Sequence, residues 1–299
     1  MTLLTSPDAV PTEAVTRIRL DIAYEGTQFN GWSRQPGQRT VQGEIEAALA
    51  MIFSRHGPAP TLVVAGRTDA GVHATGQVAH LDLAPAQIAS VLRARGNTPV
   101  PADAGAGVQR RLNGILGPYS DVVIAGAMLA PPGFNARFSA LWRRYEYRIT
   151  DQLARHDPRR RRFAAALPVS LEVGPMDAAA RELVGLHDFA AFCKPREGAT
   201  TIRMLQDFRW SRDEEGVIVG SVRADAFCHN MVRALVGACV AVGERKLQPD
   251  QPARLRDELL RTNKFRVMPA RGLTLVEVAY PEGTALAERA ARTRARRML

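Results

Sequence analysis

The chain has 299 residues with 46% hydrophobic and 23% charged side chains, an ordinary globular composition that excludes extended disorder. Its 40 Lys+Arg against 30 Asp+Glu give a formal net charge of +10, which suits a polyanionic partner. Residues 1–13 lack the features of a signal peptide, and the longest apolar stretch, 234–243, is roughly half of a membrane span, so we expect a cytoplasmic protein without a membrane segment.

The first part of the chain carries alternating strand and helix patterns. Apolar residues alternate from Arg17 to Tyr24 as in a half-buried strand, and helical spacing follows from Val41 to Phe53. Further strands are predicted at 61–65, 76–83 and 121–129, and further helices at 85–95 and 108–116. Residues 93–109 are rich in Ala, Gly, Pro and Arg, so we expect a flexible insertion without a catalytic role there.

A second series of elements begins after Pro131, Pro132 and Gly133. Strands are predicted at 144–149, 204–210, 217–224 and 273–280, and helices at 176–183, 229–242 and 253–261. Both series have the order β-α-β-β-α-β, with one extra helix in the second. The sequence therefore predicts an α+β fold of two ferredoxin-like halves, 17–132 and 133–282, with joined antiparallel or mixed sheets, a basic active-site cleft and flexible termini at 1–16 and 283–299.

Metal and disulfide frameworks are not expected. Cys193, Cys228 and Cys239 are an odd number without a C-x-x-C pair, which predicts reduced and mostly buried thiols. The histidines, 73, 80, 187 and 229 among them, do not form a short ligand pattern, and no cofactor fingerprint is present. We therefore expect neither a metal nor a cofactor.

The densest polar cluster is the glycine-rich segment 65–77 between two predicted strands. Asp69 lies at its centre, where an aspartate is most often a turn former. Arg67, two residues earlier, favours a carboxylate that is held ionised and aimed, although a local structural pair is the alternative. Asp69 is therefore the candidate reactive carboxylate.

Arg233 interrupts the apolar face of the predicted helix 229–242. A buried arginine is costly without an anionic partner, so we expect a carboxylate opposite it. Asp69 is the candidate partner. The alternative is that Arg233 extends to solvent from the start of the helix.

Five ordered stretches give the sequence a specific resemblance. It is similar to the tRNA pseudouridine synthase A family over about 17–281, and the matching stretches are 24–26 with 31–32, 66–73, 134–139 leading into 143–147, 226–233, and 272–276. Glu25, Phe29 and Ser33 depart from the residues more common in that family, which affects the loop around Trp32 and not the chemistry.

The resemblance implies a tRNA pseudouridine synthase, an isomerase that converts uridine to pseudouridine at positions 38 to 40 of the anticodon arm. It implies that Asp69 is the catalytic carboxylate, which attacks the sugar or the base or removes a sugar proton. It also implies that Tyr145 stacks on the displaced uracil, Arg67 fills the vacated space or contacts the backbone, Arg233 pairs with Asp69, and Leu273 forms an apolar pocket wall. A homodimer that binds tRNA is expected on the same basis.

Two other functions fit parts of the sequence. A non-catalytic RNA-binding module would share the fold and the charge, but its aromatic signature is absent. A metal-dependent nuclease would use Asp69, Asp82 and His80. Arginine-rich segments at 155–162 and 289–297 predict phosphate contacts, with a solvated charged surface as the alternative.

Overall fold

A ten-stranded mixed sheet organises the computed structural model, which describes residues 15–94, 99–155, 157–195, 198 and 200–294. Its strands are β1 (Thr16–Tyr24), β2 (Val63–Val64), β3 (His73–Leu83), β4 (Val122–Leu129), β5 (Trp142–Thr150), β6 (Ala165–Ala166), β7 (Gly185–Asp188), β8 (Ile202–Arg212), β9 (Ile218–Ala224) and β10 (Leu273–Ala279). They are ordered β4-β1-β3-β10-β5-β9-β8-β7, with β2 paired to β3 and β6 paired to β5.

Seven helices accompany this sheet within the described ranges: α1 (Val41–Phe53), α2 (Pro85–Val91), α3 (Ala104–Leu116), α4 (Val173–Glu182), α5 (Met231–Gly243), α6 (Gln251–Asp257) and α7 (Ala285–Arg294). The α+β class expected from the sequence is confirmed. Helix α3 packs on β4 and β1, and α4 packs on β8. Among the described helices, none is long and apolar enough to cross a bilayer.

The strands have one buried and one charged face because their residues alternate along the pleat. In β5 the buried residues are Arg143, Tyr145, Tyr147 and Ile149, and in β1 they are Ile18, Leu20, Ile22 and Tyr24. The intervening residues form ion pairs on the opposite face, such as Arg17 with Asp82 and Arg144 with Glu277. The buried face of β5 therefore carries the one candidate site residue of that strand, Tyr145.

The last strand of the chain lies at the centre of the sheet. Strand β10 pairs in parallel with β3 and antiparallel with β5, so it joins the strands of the first and second series. Hydrogen bonding is therefore continuous across the predicted boundary at 132/133. The ferredoxin-like halves 17–132 and 133–282 remain a prediction about folding units.

Helix α3 corrects the expectation of a flexible segment over 93–109. The side chain of Asp103 accepts a hydrogen bond from Ala106 N and begins the helix, which includes residues 104–109. A Cβ at Gly105 would lie 2.6 Å from Ala127 O, so the glycine lets α3 approach β4 closely. The small residues at the start of α3 therefore serve close packing of the helix on the sheet. Residues 95–98 lie outside the described residues.

Helix α7 likewise corrects the expectation of a flexible C-terminus for residues 285–294. Leu286 is buried, its carbonyl accepts a hydrogen bond from Ser139 Oγ, and Arg289 Nε donates to Ala140 O. Arg294 lies over the ring of Phe138 at 5.1 Å. These contacts are with residues remote in sequence, which is why composition alone did not predict them. Residues 1–14 and 295–299 lie outside the described ranges.

Two of the three cysteines lie side by side. Cys193 and Cys228 have a Cα–Cα separation of 5.8 Å, a distance that a disulfide could span, and the expectation of reduced thiols stays a prediction for this pair. The two residues are 35 positions apart, and only the fold brings them together. Cys239 is free and buried, and burial raises the pKa of its thiol to about 12.

Candidate active site

The loop between β2 and β3 presents Asp69, and its backbone is fixed from beneath by the first strand and the loop that follows it. Trp32 N donates to Thr68 O at 3.1 Å, and the hydroxyls of Thr68 and Tyr24 are 2.7 Å apart. Gln77 Nε2 donates to Gly66 O at 2.9 Å. Because Tyr24, Trp32 and Gln77 are buried, they form a rigid support under the loop.

The Asp69 carboxylate itself remains accessible. Asp69 O accepts a hydrogen bond from Val72 N, closing a turn that continues through Gly71 with a positive φ of 78°. The side chain is 32% exposed. Two basic side chains face it, with Arg233 Nη1 3.7 Å from Oδ2 and His229 Nε2 3.7 Å from Oδ1. Both distances exceed hydrogen-bond length, so the carboxylate oxygens retain lone pairs for a substrate.

Arg233 is held at the first turn of α5 by backbone and side-chain acceptors. Its Nε donates to Met268 O at 2.6 Å, and Met268 N donates to Arg233 O at 3.1 Å. Asn230, which adopts left-handed backbone with φ 67°, turns the chain into α5, and its Oδ1 accepts from Arg233 Nη1 at 3.4 Å. The guanidinium therefore faces Asp69, the partner that the sequence analysis selected.

His229 is the functional candidate that sequence reasoning missed. Its imidazole is about half exposed and lies as close to Asp69 as Arg233 does. The only signal in the sequence was its membership of the matching stretch 226–233. Lys194 N donates to His229 O at 2.9 Å, and the adjacent Cys228 lies beside Cys193, so the segment before α5 contacts residues 193–194 at two successive positions.

Tyr145 forms a buried aromatic wall of the site. Its side chain is 7% exposed and packs edge-on against Phe227, with ring centroids 5.2 Å apart and an interplanar angle of 88°. Burial is the main cause that raises the pKa of Tyr145, and the negative charge of Asp69 raises it further. The phenol is therefore protonated at neutral pH and retains a proton to donate.

Leu273 is buried in the sheet, whereas the side chain of Arg67 is exposed. Leu273 is 5% exposed and pairs with Tyr147 across β10 and β5, on the same face of the sheet as Tyr145. Arg67 is exposed, and no hydrogen bond or ion pair holds it within the described ranges. The structure thus gathers Asp69 and Arg233 in contact, places Tyr145 and Leu273 on neighbouring strands, and leaves Arg67 free beside Asp69.

Two of the three departures from the family pattern, Glu25 and Phe29, have structural partners here, whereas the buried Ser33 Oγ has no hydrogen-bond partner among the described residues. Glu25 Oε1 lies 3.5 Å from His73 Nδ1, and Glu25 Oε2 accepts from Arg162 Nη1 at 3.0 Å. Phe29 is buried, packs edge-on against the Tyr24 ring, and has the Arg39 guanidinium 4.3 Å from its centroid. These contacts stabilise the support of the Asp69 loop.

The residues of the nuclease alternative are not brought together. Asp82 is paired in bidentate geometry with Arg17, and His80 is buried and accepts a hydrogen bond from Ala136 N. Desolvation lowers the pKa of His80 to about 4. Asp82 lies near the far end of β3, roughly nine residues or ~30 Å beyond His73. Within the described part of the chain, no group of three or more His, Cys, Asp or Glu residues is placed to hold a metal ion.

The arginine-rich segments are partly neutralised by local acids. Arg159 pairs with Asp157 while remaining 88% exposed, Arg160 pairs with Glu215, and Arg162 pairs with Glu25. Arg161 is exposed. The segment therefore keeps exposed positive charge close to Glu25, which lies beside His73 at the end of the Asp69 loop. Its contact with phosphates remains a prediction.

A surface cavity of about 740 Å³ opens beside this segment, between α1 and the turn that joins α3 to β4. Glu25, Arg39, Arg162 and the fully exposed Tyr119 line it, and Asp69 does not. The Asp69 carboxylate is thus outside this cavity and partly open to solvent.

The sequence is similar to known proteins over nearly its whole length. The sequence profile of the family described as tRNA pseudouridine synthase matches residues 179–281. A tRNA pseudouridine synthase A from Leifsonia xyli subsp. xyli is 60% identical over 288 residues, covering 96% of this chain and 100% of that protein. Proteins of the same name from Frankia casuarinae and Streptomyces avermitilis are 53% and 48% identical, covering 96% and 95% of this chain and 97% and 94% of their own lengths.

Proposed function

The chain belongs to the tRNA pseudouridine synthase A family, and from this premise we propose that it isomerises uridine to pseudouridine at positions 38 to 40 of the tRNA anticodon arm. The reaction breaks the N1–C1′ glycosidic bond, turns the uracil and joins C5 to C1′, while C5 loses its proton and N1 gains one. Product and substrate are isomers, so the net reaction consumes no redox equivalent, and the proposal includes no cofactor or metal. The observation that carries it is the pairing of Asp69 with Arg233 in a chain of this family.

Asp69 is the proposed catalytic carboxylate. Its exposed oxygens and its position on a supported loop suit either covalent attack on the sugar or base, or removal of a sugar proton. The Arg233 guanidinium faces the carboxylate at 3.7 Å and stabilises its negative charge before it reacts, and the His229 imidazole lies at the same distance from the other carboxylate oxygen. The site then provides a reactive anion without a tight hydrogen bond that would have to be broken first.

The remaining site residues are proposed to bind the displaced uridine. Tyr145 presents an aromatic ring for stacking and a protonated hydroxyl, while Leu273 extends the apolar wall on the adjacent strand. Arg67 is free to enter the space that the base leaves or to contact the RNA backbone. Unstacking a base costs a few kcal/mol, which such contacts offset.

The decisive experiment incubates unmodified tRNA with the purified protein in the presence of a chelator and maps pseudouridine chemically. We expect pseudouridine at positions 38 to 40 in RNA of unchanged length. Shortened RNA that appears only when divalent cation is restored would support the nuclease, and bound but unmodified tRNA would support a binding module.

The exposed arginines between β5 and β6 are proposed to contact tRNA phosphates. Combining Arg159→Ala with Arg161→Ala is expected to weaken tRNA binding and to reduce the slope of log K against log salt by about one to two, because each lost contact releases one counterion fewer. Filter binding across a salt series measures this. The saturated rate should stay within about twofold, and Arg254→Ala on α6, also exposed, is the control. An unchanged slope would place the segment outside the RNA-binding surface.

We also propose a cytoplasmic homodimer as the working form. The family resemblance is the support, together with the size of a tRNA relative to one subunit. Light scattering at working concentration is expected to give twice the 32.6 kDa chain mass, and a monomer throughout would contradict the proposal.

A further inference from the structure

A buried guanidinium lies two residues before Tyr145 on the same face of β5. Arg143 is 9% exposed, and burial lowers the pKa of its side chain, but a guanidinium is not deprotonated in proteins, so the group is a buried charge. A buried charge is strongly destabilising unless its donors are satisfied. The arrangement of its acceptors therefore indicates why an arginine is tolerated at this position.

The acceptors of Arg143 are backbone carbonyls from three separate segments. Nη1 donates to Asp225 O at 2.6 Å, and Nη2 donates to Ala65 O at 2.7 Å and to Arg137 O at 3.0 Å. The planar guanidinium fixes the directions of these donors, so it fixes the carbonyls relative to one another.

Two of these segments lead directly into the residues around the reactive carboxylate. Ala65 begins the loop that carries Asp69, and Asp225 begins the stretch that carries His229 and then Arg233. The loop is supported from the other side by Tyr24, Trp32 and Gln77, none of which contacts the 225–230 segment in a described hydrogen bond. Arg143 connects the two sides of the site.

We propose that Arg143 is a positioning residue that sets the separation of Asp69 from Arg233 and His229. The assignment rests on the proposed role of Asp69. Without the guanidinium, the carbonyls of Ala65 and Asp225 lose a shared donor, and the two segments relax independently. Displacements of about 1 Å in an active site cost up to about 10²-fold in rate.

The test compares Arg143→Met and Arg143→Lys with a matched control, Arg144→Met. Arg144 is the next residue of β5, faces the opposite side and pairs with Glu146 and Glu277. Single-turnover rates are measured with enzyme in saturating excess, alongside the Kd for tRNA and thermal unfolding. While folded enzyme remains in excess over tRNA, the saturated rate constant reports only folded, bound enzyme, so a partial loss of folded molecules leaves it unchanged.

We expect Arg143→Met to lower the saturated rate about 10- to 100-fold with a Kd within about threefold of the parent. Arg143→Lys, which keeps the charge and a donor, should recover part of that rate, and Arg144→Met should match the parent. If Arg143→Met does not fold, a lowered saturated rate in folded Arg143→Lys supports the proposal. A parental saturated rate in the folded variants, or a defect confined to Kd or amplitude, overturns it. Failure of the proposed function would appear separately, as a parent protein that makes no pseudouridine.

Discussion

The Asp69→Asn variant is expected to lose pseudouridine formation by about 10⁴-fold or more while it binds tRNA as the parent does. The amide keeps the size of the side chain but is neither a nucleophile nor a base. In the described structure the loop is held through its backbone and through Thr68, and the Asp69 side chain makes no hydrogen bond within it, so the fold should be unaffected. Single-turnover assays with site-specific pseudouridine mapping measure the loss.

Asp82→Asn is the matched control for this experiment. Asp82 lies on β3, the strand that follows the Asp69 loop, but its carboxylate pairs with Arg17 at the far end. Its substitution should leave the saturated rate near the parental value and change stability only modestly, because the pair is about one-third exposed. Substantial turnover by pure Asp69→Asn, or an equal loss in both variants, would remove Asp69 from the catalytic role.

The Arg233→Ala variant is expected to lower the saturated rate by about 10²- to 10³-fold. Truncation removes a cation from the neighbourhood of the reactive carboxylate, where preorganised charge has its largest effect on a reaction. It also leaves Met268 O without the Nε donor, so the unfolding midpoint should fall. Rates across a salt series, extrapolated to saturation, separate the chemical defect from binding.

Arg266→Ala controls for loss of positive charge near α5. Arg266 is 60% exposed and forms a loose ion pair, with its guanidinium 3.9 Å from the Glu244 carboxylate at the end of α5. It therefore carries the same charge as Arg233 near the same helix but pairs with a different carboxylate. We expect a parental saturated rate for this variant. If Arg233→Ala showed a defect in Kd alone, Arg233 would belong to the RNA-binding surface.

Sequence reasoning succeeded where a charged residue interrupted an apolar pattern. An arginine on the apolar face of a helix required an anion, and the glycine-rich loop offered Asp69, which lies opposite it in the structure. Alternation likewise predicted β5 and hence the face that carries Tyr145. Both inferences use local sequence patterns. The cost of burying a charge and the burial of one face of a strand produce these patterns in any fold, so they can be recognised without knowing the topology.

Sequence reasoning failed where contacts between distant residues determine the structure. The proximity of Cys193 to Cys228 and the approach of His229 to Asp69 depend on where the fold places the segment before α5. Strand β7 (Gly185–Asp188) was missed because four residues are too few to show a clear alternation. The first turn of α3 and the whole of α7 were not predicted. Their small residues and arginines resemble the composition of a linker, but in the structure they make close contacts.

The central position of β10 has a consequence for synthesis of the protein on the ribosome. Strand β3 emerges roughly 190 residues before the strand that completes its second edge, an interval of ~10–40 s at typical rates of translation. During that time the beginning of β3 and most of one edge of β5 lack the partner that β10 provides, since β2 and β6 cover only short parts of these strands, and the unpaired backbone is able to bind other nascent chains. Emergence of β10 is therefore the step that closes the sheet, and a chain truncated before β10 is expected to be captured by chaperones or to aggregate.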